Sequence, residues 1–372
     1  MTDILVSGAS VAGMTVAYWL AHHGYSVTVV ERHPGVRPGG QAIDVRGPAL
    51  TVLERMWLRA AADHLRTRIR GASVVDRDGN ELSRDTRSTP TGGLIANPDI
   101  ELLRDDLVEL LYEATRLNTE YVFDDGIVAL QDDGTSVKVT FERAAARSFD
   151  LVIGADGLHS NVRRLVFGPE AQFIERLGTH AAIFTVPNFL DLDYWQTWHY
   201  GDNTMVGVYS ARDNTEARAM VGFMEADLRI DYGDTEAQLA ELERRMAGDG
   251  WVRPQLLQYM RTAPDFYFDE MSQIKMDRWS KGRVALVGDA GYCCSPLSGQ
   301  GTSVALLGAY ILAGELAAAG DDYELGFANY HKEFHDYVKR NQWLVIDNIP
   351  GGAPIPQEVF ERIVNSITLK DY

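Results

Sequence analysis

The 372-residue sequence predicts an α/β fold: a doubly wound parallel sheet, a mixed β-sheet inserted into it, and helices toward the C-terminal end. Three observations predict it. "DILVSGASVAGMTVAYWLAHHGYSVTVVER" reads as strand, glycine turn, helix, strand, a βαβ unit of about 30 residues. Two later apolar runs, "DLVIGADG" and "VALVGDAG", each end in a turn of glycine and aspartate, as buried parallel strands do before a crossover. Between about Gly178 and Gln273 the texture changes to aromatic-rich alternation, the mark of a separate sheet.

Taken in order, Ile4 to Val6 form the first strand, Val11 to His23 carry apolar residues at helical spacing, Gly24 stops that helix, and Ser26 to Val30 form the second strand. Pro34, Gly35, Pro38, Gly39 and Gly40 mark a loop, Pro48 to Leu58 a helix, and Asp78-Gly79 a hairpin. "DIELLRDDLVELLYEATR" predicts one amphipathic helix, followed by strands at 121–130 and 136–141 joined by Asp133-Gly134. "WQTWHYGDNTMVGVYSA" predicts strand in the inserted region, with a single charged helix near Thr235 to Ala247. Helices are expected at Thr302–Ala318 and Tyr323–Leu344, then a break at "IPGGAPIP" and a last short helix. The expected division is a discontinuous nucleotide-binding domain over 1–70, 95–177 and 274–345, a substrate domain over 71–94 and 178–273, and a C-terminal helical extension over 346–372.

Composition narrows the function. Asp and Glu number 53 against 35 Lys and Arg, and the net charge of −18 repels phosphate backbones, so no nucleic-acid partner is expected. No apolar run is expected to reach the roughly 18 residues that span a bilayer, and no signal-type segment is expected before Ile4. The expectation is a cytoplasmic protein without a membrane partner, monomeric or homodimeric. Cys293 and Cys294 are adjacent, which suits neither a disulfide framework nor a zinc site, so no metal site is expected.

Three constellations carry chemistry. In Gly8-Ala9-Ser10-Val11-Ala12-Gly13, a dinucleotide fingerprint with serine at the middle glycine, Gly8 permits the tight turn, Ser10 is small enough for close approach to a pyrophosphate, and Gly13 allows helix–strand packing. Glu31, at the end of the second strand and followed by Arg32, is placed to accept hydrogen bonds from an adenosine ribose. Gly154, Asp156 and Gly157, with Ser160 and Arg163 beyond them, form the second constellation. The third runs from Gly288-Asp289 through Pro296, Gly299, Gln300 and Gly301 into a helix whose free N–H groups and positive end face whatever lies above them. Three such strand ends converge at the carboxyl edge of one parallel sheet, where open α/β sheets bind ligands.

This triplet of GxSxxG, DG and GD motifs resembles the class A flavoprotein monooxygenases, the FAD-dependent aromatic hydroxylases, over nearly the whole chain. The short members that modify tetracycline-like polyketides are most similar in length and motif context. The resemblance implies that Asp289 binds the ribityl chain of non-covalent FAD, that Arg104 of "LLRDDL" contacts the flavin nucleotide, and that Asp44 of "GGQAID" belongs to the site. The set expected around FAD is Gly8, Ser10, Val11, Ala12, Gly13, Glu31, Arg32, Asp44, Arg104, Asp156, Asp289, Gly299, Gln300 and Gly301. Ser10 departs mildly from the pattern, and Gly291-Tyr292 stands where many relatives have Ala-His.

Only one dinucleotide fingerprint is present, so NADPH or NADH is expected to visit transiently. The family mechanism then implies FAD reduction, oxygen addition at C4a, and transfer of one oxygen atom from the hydroperoxide to an aromatic or polyketide-like small molecule. The flavin performs that chemistry, so no catalytic side chain is assigned. Arg37, in "HPGVRPGGQ", resembles the arginine that tetracycline-modifying relatives place for NAD(P)H. His159 and His199 read as structural. Met205, Tyr209 and Pro296 are the expected substrate contacts, with Met205 and Tyr209 on one face of a strand running from Trp195 to Tyr209. The alternative is an FAD-dependent reductase or dehydrogenase without oxygen insertion. "WQTWHY" lacks the W-x-W-x-I-P form of flavin halogenases.

Overall fold

The computed structural model describes residues 2–201, 203–228, 230–231, 233–248, 250–349 and 352–372. Residue 202 of the "YGDNT" stretch and residues 350 and 351 of the expected "IPGGAPIP" break lie outside the described residues.

The nucleotide-binding half is a six-stranded sheet in the order Ser280–Lys281, Val284–Leu286, Leu151–Gly154, Asp3–Ser7, Ser26–Glu31, Glu120–Phe123. All pairings are parallel except that of the short edge strand Ser280–Lys281. Ile4, Leu5 and Val6 are wholly buried, because helices cover both faces, and this is why the strand reads as an unbroken apolar run. Val11–His22 packs on Gly301–Ala319, which packs in turn on Tyr323–Trp343. Against the expectation of no apolar run of that length, Gly301–Ala319 is the one helix among the described residues long and apolar enough to cross a membrane, and 78% of its apolar window is buried in the fold.

The inserted sheet has seven strands: Tyr267–Ile274, Ile174–Pro187, Glu216–Met224, Thr204–Ala211, Gln196–Tyr200, Ala72–Val75 and Glu81–Asp85. One face buries Phe184, Val206, Val208 and Val221 under the helices Thr235–Met246 and Arg253–Thr262. The other carries Ile183, Trp198, Met205, Tyr209 and Met220. Between the two sheets lies a ribbon of two antiparallel strands, Ala42–Val45 and Ile100–Leu103. It is stitched to the inserted sheet by the Ala42 N–H, which donates to the Tyr209 hydroxyl at 3.0 Å, and by Arg218 Nε, which donates to the Gly40 carbonyl at 3.1 Å.

Four local expectations are corrected. The run from Trp195 to Tyr209 is a hairpin of two antiparallel strands, because the Gly201 N–H bonds back to the Thr204 carbonyl and reverses the chain. "DIELL" is strand, and its helix begins only at Arg104, since Leu103 is extended and the Arg104 N–H is held by the Gln41 carbonyl. A second helix, Arg253–Thr262, follows the charged one, with Pro254 in its first turn. The 121–130 stretch splits: Glu120–Phe123 closes the parallel sheet, while Ile127–Asp132 opens a separate three-stranded sheet after Asp124 turns at φ 59°.

Candidate active site

The three motif turns sit at the carboxyl ends of three adjacent parallel strands, Asp3–Ser7, Leu151–Gly154 and Val284–Leu286. Asp3–Ser7 pairs with Leu151–Gly154 on one side and Ser26–Glu31 on the other, so the strand order reverses direction at it, the switch point outside which open α/β sheets bind ligands. Gly8, at φ 108°, lies so close to the neighbouring turn that a Cβ would sit 2.5 Å from the Ala155 carbonyl oxygen. A Cβ on Gly13 would strike the Gly8 carbonyl. Ser10 is the N-cap residue of Val11–His22 and makes no side-chain cap bond. Val11 is buried and Ala12 half-buried under the helix. Glu31 folds back over the turn, accepting from the Ala9 N–H and the His33 N–H, both at 2.8 Å, while Arg32 points outward and is exposed.

Asp156 uses its carboxylate within the protein. It accepts from the backbone N–H groups of Asn161 at 2.9 Å and Val162 at 3.0 Å and from the Ser160 hydroxyl, and so caps Asn161–Val166. Arg163 leaves that helix to donate to the Ala290 carbonyl at 2.9 Å, tying the second turn to the third. Asp289 opens the short helix Asp289–Tyr292 after Gly288 at φ 65°. Burial raises its carboxyl above the usual range, while the Cys293 thiol and the Arg163 charge oppose that rise. Cys293 and Cys294 are both buried and free.

Beyond them Pro296–Ser298 make one 3-10 turn, Gly299 turns at φ 64°, and Gly301 begins the 19-residue helix. The fit to a flavin nucleotide rests on what this region leaves unmet. Gln300 is fully buried, yet neither atom of its amide finds a hydrogen-bond partner among the described residues. A Cβ on Gly299 or Gly301 would meet nothing within 4 Å, so both open onto space. Arg104 is 9% exposed and donates to the Gly39 carbonyl, but its Nε is unpartnered among the described residues. Burial and the nearby Arg37 charge lower its pKa to about 10, the state of a guanidinium short of an anion. An unpaired amide at a glycine-lined opening, and a buried guanidinium with a free Nε, are groups that the ring and phosphates of a flavin nucleotide can satisfy.

Asp44 is 8% exposed and paired with Arg46 at 2.9 Å. Arg37 is exposed, its guanidinium 5.7 Å from the centre of the Tyr267 ring. Met205 and Tyr209 share the inner face of the inserted sheet; Tyr209 is wholly buried and anchors the ribbon, whereas Met205 remains half-buried, and Pro296 is exposed. His159 bridges Glu170 at 3.1 Å and Asp269 at 3.2 Å, a structural clamp. Sequence reasoning missed Arg46, Glu101, Gln196 and Ser303. For Arg46 and Glu101 the signal was faint, charged residues alternating with apolar ones in "AIDVR" and "DIELL"; Gln196 and Ser303, which bond to Thr91 and to the Arg46 N–H from distant elements, carried none.

The family profile described as an FAD binding domain matches residues 1–342. A flavin-dependent monooxygenase from an unknown prokaryotic organism is 40% identical over 339 residues, covering 91% of this chain and 87% of the relative. The chain belongs to the class A FAD-dependent monooxygenases. An uncharacterized protein of Mycobacterium tuberculosis is 82% identical over 372 residues, the whole of both chains. Among solved structures, the tetracycline destructase Tet(51) superposes with a TM-score of 0.91 at 34% identity, covering 100% of each chain. The monooxygenase therefore binds FAD and takes O2 and a small molecule as substrates.

Proposed function

We propose that this monooxygenase uses NADPH or NADH to place one oxygen atom on an electron-rich ring of an aromatic or polyketide-like molecule. The balanced reaction is substrate–H + O2 + NAD(P)H + H⁺ → substrate–OH + NAD(P)⁺ + H2O. FAD, when bound, supplies the two-electron and oxygen chemistry. The observation that carries the reading is the set of three strand-end turns at one sheet edge, with the Gln300 amide and Arg104 Nε left without a partner among the described residues.

Each residue has a task in this reading. Gly8, Ser10, Val11, Ala12 and Gly13 bring backbone to the pyrophosphate, Glu31 takes the ribose hydroxyls in place of the two N–H groups it now holds, and Arg32 flanks the adenosine. Asp289 accepts from the ribityl hydroxyls, Arg104 meets the nucleotide, and Asp156 acts by fixing its turn. Gly299, Gln300 and Gly301 present the loop and helix start to the ring. Asp44 supports that floor through the ribbon. The single fingerprint leaves the nicotinamide nucleotide a visitor, and exposed Arg37 beside Tyr267 is the cation that receives it. Met205 and Pro296 border the substrate, while Tyr209 shapes that border from behind. The substrate class is supported by the likeness to the tetracycline destructase.

The test loads the purified protein with FAD and follows NAD(P)H and oxygen consumption with and without tetracycline. Ring-stimulated consumption of both, with a product heavier by one oxygen atom, is expected. NAD(P)H oxidation with a reduced product and no oxygen uptake would establish the reductase alternative instead.

A further inference from the structure

Behind the inner sheet face, one arginine is paired with two carboxyls, and a third, Glu101, faces one of them across the ribbon. The ribbon pairs Asp44 directly with Glu101 across its two strands, so both side chains lie on one face at the roughly 5 Å spacing of cross-strand neighbours. Arg46 answers both strands: Nη2 lies 2.9 Å from Asp44, Nη1 lies 3.1 Å from Asp99, and Nη2 also donates to the Gly92 carbonyl at 2.9 Å. Asp44 and Arg46 are buried, and Glu101 and Asp99 are half-buried.

Apart from Arg218 of the inserted sheet, whose guanidinium is committed to the Gly40 carbonyl and to Glu216 at 2.7 Å, the neighbouring elements bring neutral groups. Tyr209 comes from the sheet with its hydroxyl on the Ala42 N–H, Ser303 from the long helix with its hydroxyl on the Arg46 N–H at 2.9 Å, and Phe360 from the C-terminal helix with its ring 5.6 Å from the Arg46 guanidinium. Three ionised carboxylates around one cation would leave two negative charges where water is scarce, which is strongly unfavourable. A proton retained on the facing pair removes one of them. Burial raises both carboxyls, and each feels its neighbours in the cluster.

The cluster is wired to the sheet face. Glu101 accepts from Thr67 at 3.0 Å and from Thr91 at 2.7 Å. Thr91 in turn receives the Gln196 amide, and Gln196 is the cross-strand partner of Tyr209. Gln196 also accepts from the Trp198 indole at 3.0 Å. The charge on Glu101 therefore acts on the wall of the substrate space through one hydroxyl and one amide.

We propose that the facing pair Asp44 and Glu101 retains one proton at neutral pH, and that this proton holds the Thr91–Gln196 end of the wall in the position that couples flavin turnover to oxygen insertion. This rests on the monooxygenase reading above. Asp44 and Glu101 are positioning residues; the proton stays on the pair in turnover and leaves to solvent only as pH rises.

Glu101→Gln tests it, because a neutral amide donating to the Asp44 carboxylate mimics the protonated pair. In the wild-type holoenzyme, peroxide released per NAD(P)H consumed rises several-fold from about pH 6 to about pH 9, across the range of a raised carboxyl. In E101Q that ratio stays low and flat. A wild-type-like rise in E101Q overturns the proposal. Infrared spectroscopy of the same holoenzyme gives a second readout without turnover: a protonated-carboxyl band at neutral pH that fades as pH rises and is lost in both E101Q and Asp44→Asn. Absence of that band from the wild type, or its persistence in both variants, also overturns the proposal. If tetracycline and related rings are not oxygenated at all, the substrate reading fails while the infrared result still decides the retained proton.

Discussion

Asp289 and Gly13 show how much a single position carries. Asp289 is held at a helix start between the Arg163 charge and the Cys293 thiol, an acceptor already oriented for hydroxyl donors. Asp289→Ala removes a charged acceptor and should weaken FAD binding by roughly 1.5–3 kcal/mol, read as the dissociation constant in a flavin fluorescence titration. Unchanged affinity would place the ribityl chain elsewhere. Asp44 makes a pH prediction. Its folded pKa of about 7 lies above the unfolded value of about 4, so the folded state holds the proton longer. Stability contributed by this group is therefore lost as pH rises between those values, and the penalty is complete above about 7. Asp44→Asn should raise Tm relative to wild type more at alkaline than at acid pH; a gap equal at both would mean that the carboxyl is not raised.

At the scale of elements, the clamp from the Asp156 turn to the inserted sheet runs through His159. Hydrogen bonds to Asp269 and Glu170 raise its pKa to about 9, against the opposing effect of burial. The folded state thus favours the charged ring, so its contribution is fully present below about 6.5 and disappears as pH rises through about 9. His159→Gln should lower Tm at mildly acidic pH and match wild type at strongly alkaline pH. A deficit that does not depend on pH would point to packing rather than charge. The same scale shows what the sequence made legible. The Gly8–Gly13 turn, the Asp156 turn and the Gly288 turn are local signals, each contained in a few residues at the end of a buried strand, and they lie where those signals point. "DIELL" was not legible, because Ile100, Leu102 and Leu103 satisfy helical and strand spacing alike and only pairing with Ala42–Val45 decides between them. The Gln196–Thr91 contact joins residues 105 apart in sequence, which no local pattern encodes.

At the scale of the whole molecule, the proposed oxygenation requires FAD, oxygen and an apolar ring to meet with little water. A leaky site releases peroxide instead of product. Truncating Met205, which lies half-buried on the inner face, should raise peroxide released per NAD(P)H consumed while FAD content holds. Tyr209→Ala should lower Tm as well, because its hydroxyl anchors the ribbon. Loss of stability with unchanged coupling in Met205→Ala would assign that side chain to the core. The most direct measurement is turnover of the FAD-loaded protein with NAD(P)H and tetracycline under isotopically heavy dioxygen, followed by mass spectrometry of the product. The account predicts a product that has gained one heavy oxygen atom from the gas. A product with no oxygen added, or with oxygen drawn only from water, would contradict it.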